Sequence, residues 1–159
     1  MKAPLPFQPG FKRYSERPFP PYHYIPGLTP RPGPGPQPSR IDEQAEYLYA
    51  VDLYNFNYWW EAHEAWETVW QTTQKTDERG QFLQGLIQIS AGMIKWWTGQ
   101  EKGRKNLFDA GMERLRTIQE PIFMGLDVER HIQKIEQFLT TLKASDYPLI
   151  ELDNLQKTF

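Results

Sequence analysis

The sequence predicts an all-α protein, a compact bundle of about five helices with an extended, proline-rich N-terminal arm. Three observations lead there. Beyond residue 41 apolar residues recur at helical spacing, and no alternating strand pattern of useful length appears. Twelve of the 14 prolines fall in the first 40 residues. The chain has 159 residues and no cysteine, so it makes one domain held by an apolar core and not by disulfides.

The arm, residues 1–39, comes first. From Pro30 to Pro38 every second residue is proline, which removes alternate backbone donors and holds the chain extended. This stretch is expected to be a spacer. Phe7, Phe11, Tyr14, Phe19, Tyr22 and Tyr24 are unusual for a free tail, so part of residues 5–28 is expected to dock on the helices. Lys2, Lys12, Arg13, Arg17, Arg31 and Arg40 stand against the single acid Glu16, a balance of about +5 that leaves about -7 for the rest.

The bundle is expected over residues 40–145. Ser39, with Asp42 three residues on, fits a capping box for a first helix of about 40–55, its stripe carrying Tyr47, Val51 and Tyr54. A break at Asn55 to Asn57 precedes a second helix of about 58–73. There Trp59, Ala62, Trp66, Val69 and Trp70 fall within an arc of about 100°. Thr76 or Asp77 caps a third helix of about 78–98. Its apolar arc is wide, as for a helix with several neighbours, and Gly85 and Gly92 on one edge predict the close approach of another backbone. Gly99 and Gly103 bracket a turn, and a fourth helix of about 103–119 stops at Pro121 and Gly125. Asp127 caps a fifth, about 128–144, with Val128, Ile132, Ile135, Leu139 and Leu142 on its stripe. Residues 146–159 form a tail, expected to dock through Tyr147, Pro148 and Ile150.

Composition narrows the functional classes. With 18 Lys plus Arg against 20 Asp plus Glu, and an acidic body without a basic stripe, nucleic acid is not an expected partner. A mean hydropathy of -0.69 and the lack of a long apolar run argue against a membrane span, and a cytoplasmic location is the expectation. Without cysteine there is neither a thiol nucleophile nor a cysteine zinc cluster, and three histidines remain as nitrogen ligands.

The residues able to carry chemistry are few. On the second helix, EAHEAWE places His63 and Glu67 four apart and Glu64 and Glu67 three apart, so the three converge beside the tryptophan face. Gln84 and Gln88 form a polar stripe with Lys95 on the third helix. If that stripe faces His63 and the glutamates, the groups line one pocket. Glu61 points elsewhere and fits a first-turn acid favoured by the helix dipole. A His–Glu pair at this spacing is also a common structural motif, and His131, on the apolar side of the fifth helix near Phe138, reads as a core or edge histidine. His23 has no partner visible in the sequence. A metal site lacks its usual pattern: di-iron bundles repeat Glu-x-x-His on two helices, and zincins need two histidines four apart. The pairs Trp59/Trp60 and Trp96/Trp97 are core residues or the walls of a ligand pocket.

The run FNYWWEAHEAWETVW, followed by FLQGLIQISAGMIKW, resembles the helical family catalogued as domain of unknown function 309. The likeness covers roughly residues 41–125, and the arm's PYHYIPGLTP is similar to a proline-rich opening in some relatives. The resemblance implies a small all-helical bundle and no assigned activity. Carried over position by position, its motif residues are Glu61, His63, Glu64, Glu67, Trp70, Gln84, Gly85 and Gln88; the second aromatic at Trp60 departs from the pattern and narrows any pocket beside Glu64.

Two functional readings follow. The first is a binding or interaction module for a small molecule or a protein, with its site at His63, Glu64, Glu67, Gln84 and Gln88. The alternative is a small metal-dependent or acid/base enzyme using the His63/Glu64/Glu67 cluster. The first is preferred because no nucleophile, phosphate loop or second ligand set is found, and neither reading names a cofactor.

Overall fold

The computed structural model describes residues 12–33 and 41–153. The bundle is all-helical, with helices α1 (Glu43–Asn55), α2 (Trp59–Trp70), α3 (Glu78–Trp97), α4 (Glu101–Leu115) and α5 (Val128–Thr141). The first four pack on one another in chain order, α1 on α2, α2 on α3 and α3 on α4. Tyr47, Val51 and Tyr54 of α1, Ala62, Trp66 and Val69 of α2 and Phe82, Leu86, Ile89 and Met93 of α3 are buried at their common centre. α5 closes the bundle through Phe138, which meets Trp96 edge-on at 5.1 Å and lies 6.0 Å from Phe108.

The helix ends show which local signals prevail. α1 starts at Glu43, with Asp42 itself as the cap: its carboxylate accepts the Ala45 N–H at 3.1 Å. Ser39, expected in that role, lies outside the described residues, as do residues 34–38 of the proline ladder and Phe7 and Phe11. Asp77 and Asp127 cap α3 and α5 as their side chains predict, accepting from Gly80 and Arg130. Between α1 and α2, Asn57 takes a left-handed φ of 71°, which asparagine tolerates better than most residues.

α4 differs from expectation at both ends. It begins at Glu101, so Gly103 lies within the helix, where a Cβ would stand 3.3 Å from the Lys95 side chain. Gly99, at φ 77°, makes the turn alone. The helix ends at Leu115, and the chain then forms a two-residue hairpin of strands β1 (Ile122–Phe123) and β2 (Leu126–Asp127). Met124 and Gly125 both have positive φ there, the backbone of a tight hairpin turn.

α3 and α4 meet at the predicted glycine edge. A Cβ on Gly85 would lie 3.0 Å from the Gly111 carbonyl, and one on Gly92 would lie 2.9 Å from the Phe108 ring. This close crossing decides which residues of α3 face α4.

Two extended segments wrap the bundle. The C-terminal one is read by Asn55, whose amide donates to the Ile150 carbonyl and accepts the Ile150 N–H, both at 2.9 Å. The Tyr54 hydroxyl donates to the Pro148 carbonyl, and Trp59 donates to the Tyr147 hydroxyl. Residues 12–33 lie along α1 and α2. Buried Asp52 accepts from Arg13 Nε, from the Tyr14 and Ser15 N–H groups and from the Ser15 hydroxyl, at 2.6 to 3.2 Å. The two segments meet where the Tyr14 hydroxyl accepts the Leu152 N–H.

Candidate functional site

The outer side of α2 carries a stripe of mixed character. At 100° per residue Trp60, His63, Glu67 and Trp70 fall on one side of the helix, next to the buried face of Ala62, Trp66 and Val69. All four are partly exposed, and Glu64 beside them is exposed. His63 is the hub. Its Nδ1 lies 3.2 Å from the Trp60 carbonyl, its Nε2 lies 3.3 Å from the Glu67 carboxylate, and its ring centroid is 5.1 Å from that of Trp60. Both neighbours are acceptors, so the imidazole satisfies both only when both its nitrogens carry a proton. With 23% of the His63 side chain and 43% of the Glu67 side chain exposed, this is an open edge and not an enclosed chamber.

The glutamines of α3 serve another neighbour. Arg114 of α4 donates from Nε to Gln88 at 3.1 Å and from a terminal nitrogen to Gln81 at 2.7 Å. The glycine crossing explains this, because Gln81, Gly85, Gln88 and Gly92 lie on one side of α3 and that side meets α4. Gln84 is half-buried one turn before Gln88, and Lys95 donates to Gln100 at the end of α3. His63 and Glu67 are thus brought together as the spacing predicts, while Gln88 is held on the α4 side.

Glu61 is the residue that sequence reasoning undervalued. It stands under the arm: one carboxylate oxygen accepts the Tyr24 N–H at 3.3 Å, and the other is buried with no hydrogen-bond partner among the described residues. Burial pushes the Glu61 carboxyl up to about 7, with the nearby Glu64 charge adding to it against the backbone hydrogen bonds. Around it the Tyr24 ring meets Trp60 edge-on at 5.2 Å, and the Arg31 guanidinium lies over Trp60, 5.9 Å from the ring centroid. The sequence hints were the density of tyrosines in the arm and the place of Glu61 among the motif residues of the family resemblance.

The remaining histidines are accounted for separately. His23 stacks on Tyr58 at 3.7 Å and sits 3.0 Å from the Phe56 carbonyl, partners distant in sequence. His131 is buried, as its position on α5 predicts, and burial, aided by the Lys134 charge, pushes it down to about 3. Its two nitrogens lack hydrogen-bond partners among the described residues. Among those residues no group of three His, Cys, Asp or Glu side chains is placed to hold a metal ion. No described helix is long and apolar enough to cross a membrane.

No curated protein matches the chain. Residues 47–107, which run from α1 through α2 and α3 into α4 and include Glu61, His63, Glu67, Gln84 and Gln88, match the family model described as Domain of unknown function (DUF309), and over that stretch the chain resembles that family.

Proposed function

We propose that the chain is a small helical binding or interaction module whose contact face is the outer stripe of α2: Trp60, His63, Glu67 and Trp70, with Glu64 at its margin. One observation carries this reading. Two half-buried indoles flank a His–Glu pair, and each indole is covered by a cation of the same chain, Trp60 by Arg31 and Trp70 by Lys75 at 5.0 Å. Such a surface offers flat apolar area together with acceptors, the combination that protein contacts use. Openness favours a protein or peptide partner over an enclosed small molecule. We place Gln84 at the margin of this face and leave Gln88 outside it, because the Gln88 amide oxygen accepts from Arg114 on the α4 side.

Native mass spectrometry with elemental analysis, run on the purified wild type and on Glu67→Leu, tests the reading. The expected result is a retained partner mass on the wild type that the variant loses while melting at the same temperature. Unchanged retention in the variant would overturn it. So would a stoichiometric metal released by His63→Ala, which would favour a metal-dependent or acid/base enzyme built on His63, Glu64 and Glu67.

A further inference from the structure

The corner where the arm crosses the start of α2 has the chemistry of a seat for a cationic side chain. Its walls are the Trp60 face, the Tyr24 ring edge-on to it and the His63 ring. Its acid is Glu61, with one oxygen on the Tyr24 N–H and the other buried without a partner among the described residues. Exposed Glu64 lies one turn from Trp60, and Glu67 pairs with His63. Arg31, exposed, lies over the Trp60 ring there.

We infer that this corner recognises an arginine side chain of a partner polypeptide, and that Arg31 is a tethered stand-in which the partner's arginine displaces. The inference rests on the proposed reading of the α2 stripe and names the chemistry of its partner.

Guanidinium fits both features of the corner at once. Its plane stacks on an indole, and its in-plane N–H groups can reach a carboxylate oxygen that now has none. An ammonium offers a point charge without the flat face. Arg31 meets only the first requirement, since Glu61 keeps an unpartnered oxygen with Arg31 in place. Such partial satisfaction suits an occupant that must leave. Among the described residues the hydrogen bond joining the arm to that carboxylate is a long one, 3.3 Å from the Tyr24 N–H, so a shift of residues 24–31 that lifts the Tyr24 ring opens it. A tether as short as the seven residues from Tyr24 to Arg31 gives the stand-in a local concentration of about millimolar, enough to hold the seat against weak competitors.

The test is a titration of the full-length chain with Ac-Gly-Arg-Gly-NH2, followed at the Trp60 indole N–H by NMR. Arg31→Ala should bind the peptide about 5- to 10-fold more tightly than wild type, because an intramolecular competitor is gone. The citrulline peptide, flat and neutral, should bind at least 10-fold more weakly than the arginine peptide. Trp60→Leu in the Arg31→Ala background should abolish the response at the Glu61 and Glu64 amides. Trp60→Phe, which keeps the ring and the packing, should retain weakened binding and shows that the loss is not misfolding. Equal affinity in wild type and Arg31→Ala, or equal binding of the citrulline or lysine peptide, overturns the inference. The α2-face reading has its own separate readout, since partner retention depends on Glu67. A partner lost from Glu67→Leu but indifferent to Arg31 would leave the face standing and remove the arginine seat.

Discussion

The arm crosses three acids of the bundle, and the two on α1 are satisfied differently from the one on α2. Asp52 of α1 is fully buried and accepts four hydrogen bonds from Arg13, Tyr14 and Ser15. Glu46, a turn and a half earlier, takes the Arg17 guanidinium at 2.7 Å, which also lies over the Tyr49 ring. Some ten residues further along the arm, Glu61 of α2 receives one long hydrogen bond from the arm, and its other oxygen is buried without a partner among the described residues. Buried carboxylates are tolerated when their acceptor sites are filled. The first half of the arm is therefore a latch, and the second half covers a carboxylate that the described residues leave partly unsatisfied. The same contrast separates Gln88, committed to Arg114, from the open His63–Glu67 pair.

Removing the latch should have the largest effect. Asp52→Ala takes the acceptor from Arg13 Nε, the Ser15 hydroxyl and two backbone donors, so urea melts should show a loss of about 3–5 kcal/mol, with hydrogen exchange rising throughout residues 13–18. A loss below about 1 kcal/mol would erase the distinction between the two halves of the arm. Gln88→Leu comes next: it removes one of the two acceptors holding Arg114 and should cost about 1–3 kcal/mol in the same assay.

Glu61 should show the opposite sign. Its carboxyl is raised in the folded protein, so arm docking is fully favourable below about pH 4.5, weakens as pH rises, and levels off above about pH 7. Glu61→Gln should flatten that profile and stabilise the protein by about 1–2 kcal/mol at pH 8 relative to wild type, measured by thermal melts. Smallest of all is Glu67→Leu. Its side chain is 43% exposed, and the change should stay within about 0.5 kcal/mol, because an exposed ion pair contributes little to folding. A cost matching that of Gln88→Leu would make the pair structural.

Much of this arrangement was legible in the chain, and what was not has a common cause. Helical periodicity gives faces, so the five helices, the buried tryptophan face of α2, the His63–Glu67 contact and the glycine crossing on α3 all follow from local spacing. Periodicity does not name the element that meets a face. Gln88 finds Arg114, which is 26 positions away, and Asp52 finds Arg13 at a separation of 39, neither pairing being encoded in local pattern. Glu61 looked like an ordinary first-turn acid for the same reason, since the arm that buries it returns from 37 residues upstream. The hairpin was missed because two-residue strands carry no alternation to detect. Helix ends moved by a few residues where a side chain outside the periodic pattern decided, as Asp42 did for α1.

Among the described residues the arm covers Glu61 without giving both its oxygens a partner. Following the Glu61 side-chain carboxyl carbon by NMR from pH 3 to pH 9 in the full-length protein measures this at the atom concerned. The expected titration midpoint is about 7, from burial that the backbone hydrogen bonds offset only in part. A midpoint near the ordinary 4.5 would mean that the carboxylate is solvated or fully partnered beneath the arm, and would contradict that expectation.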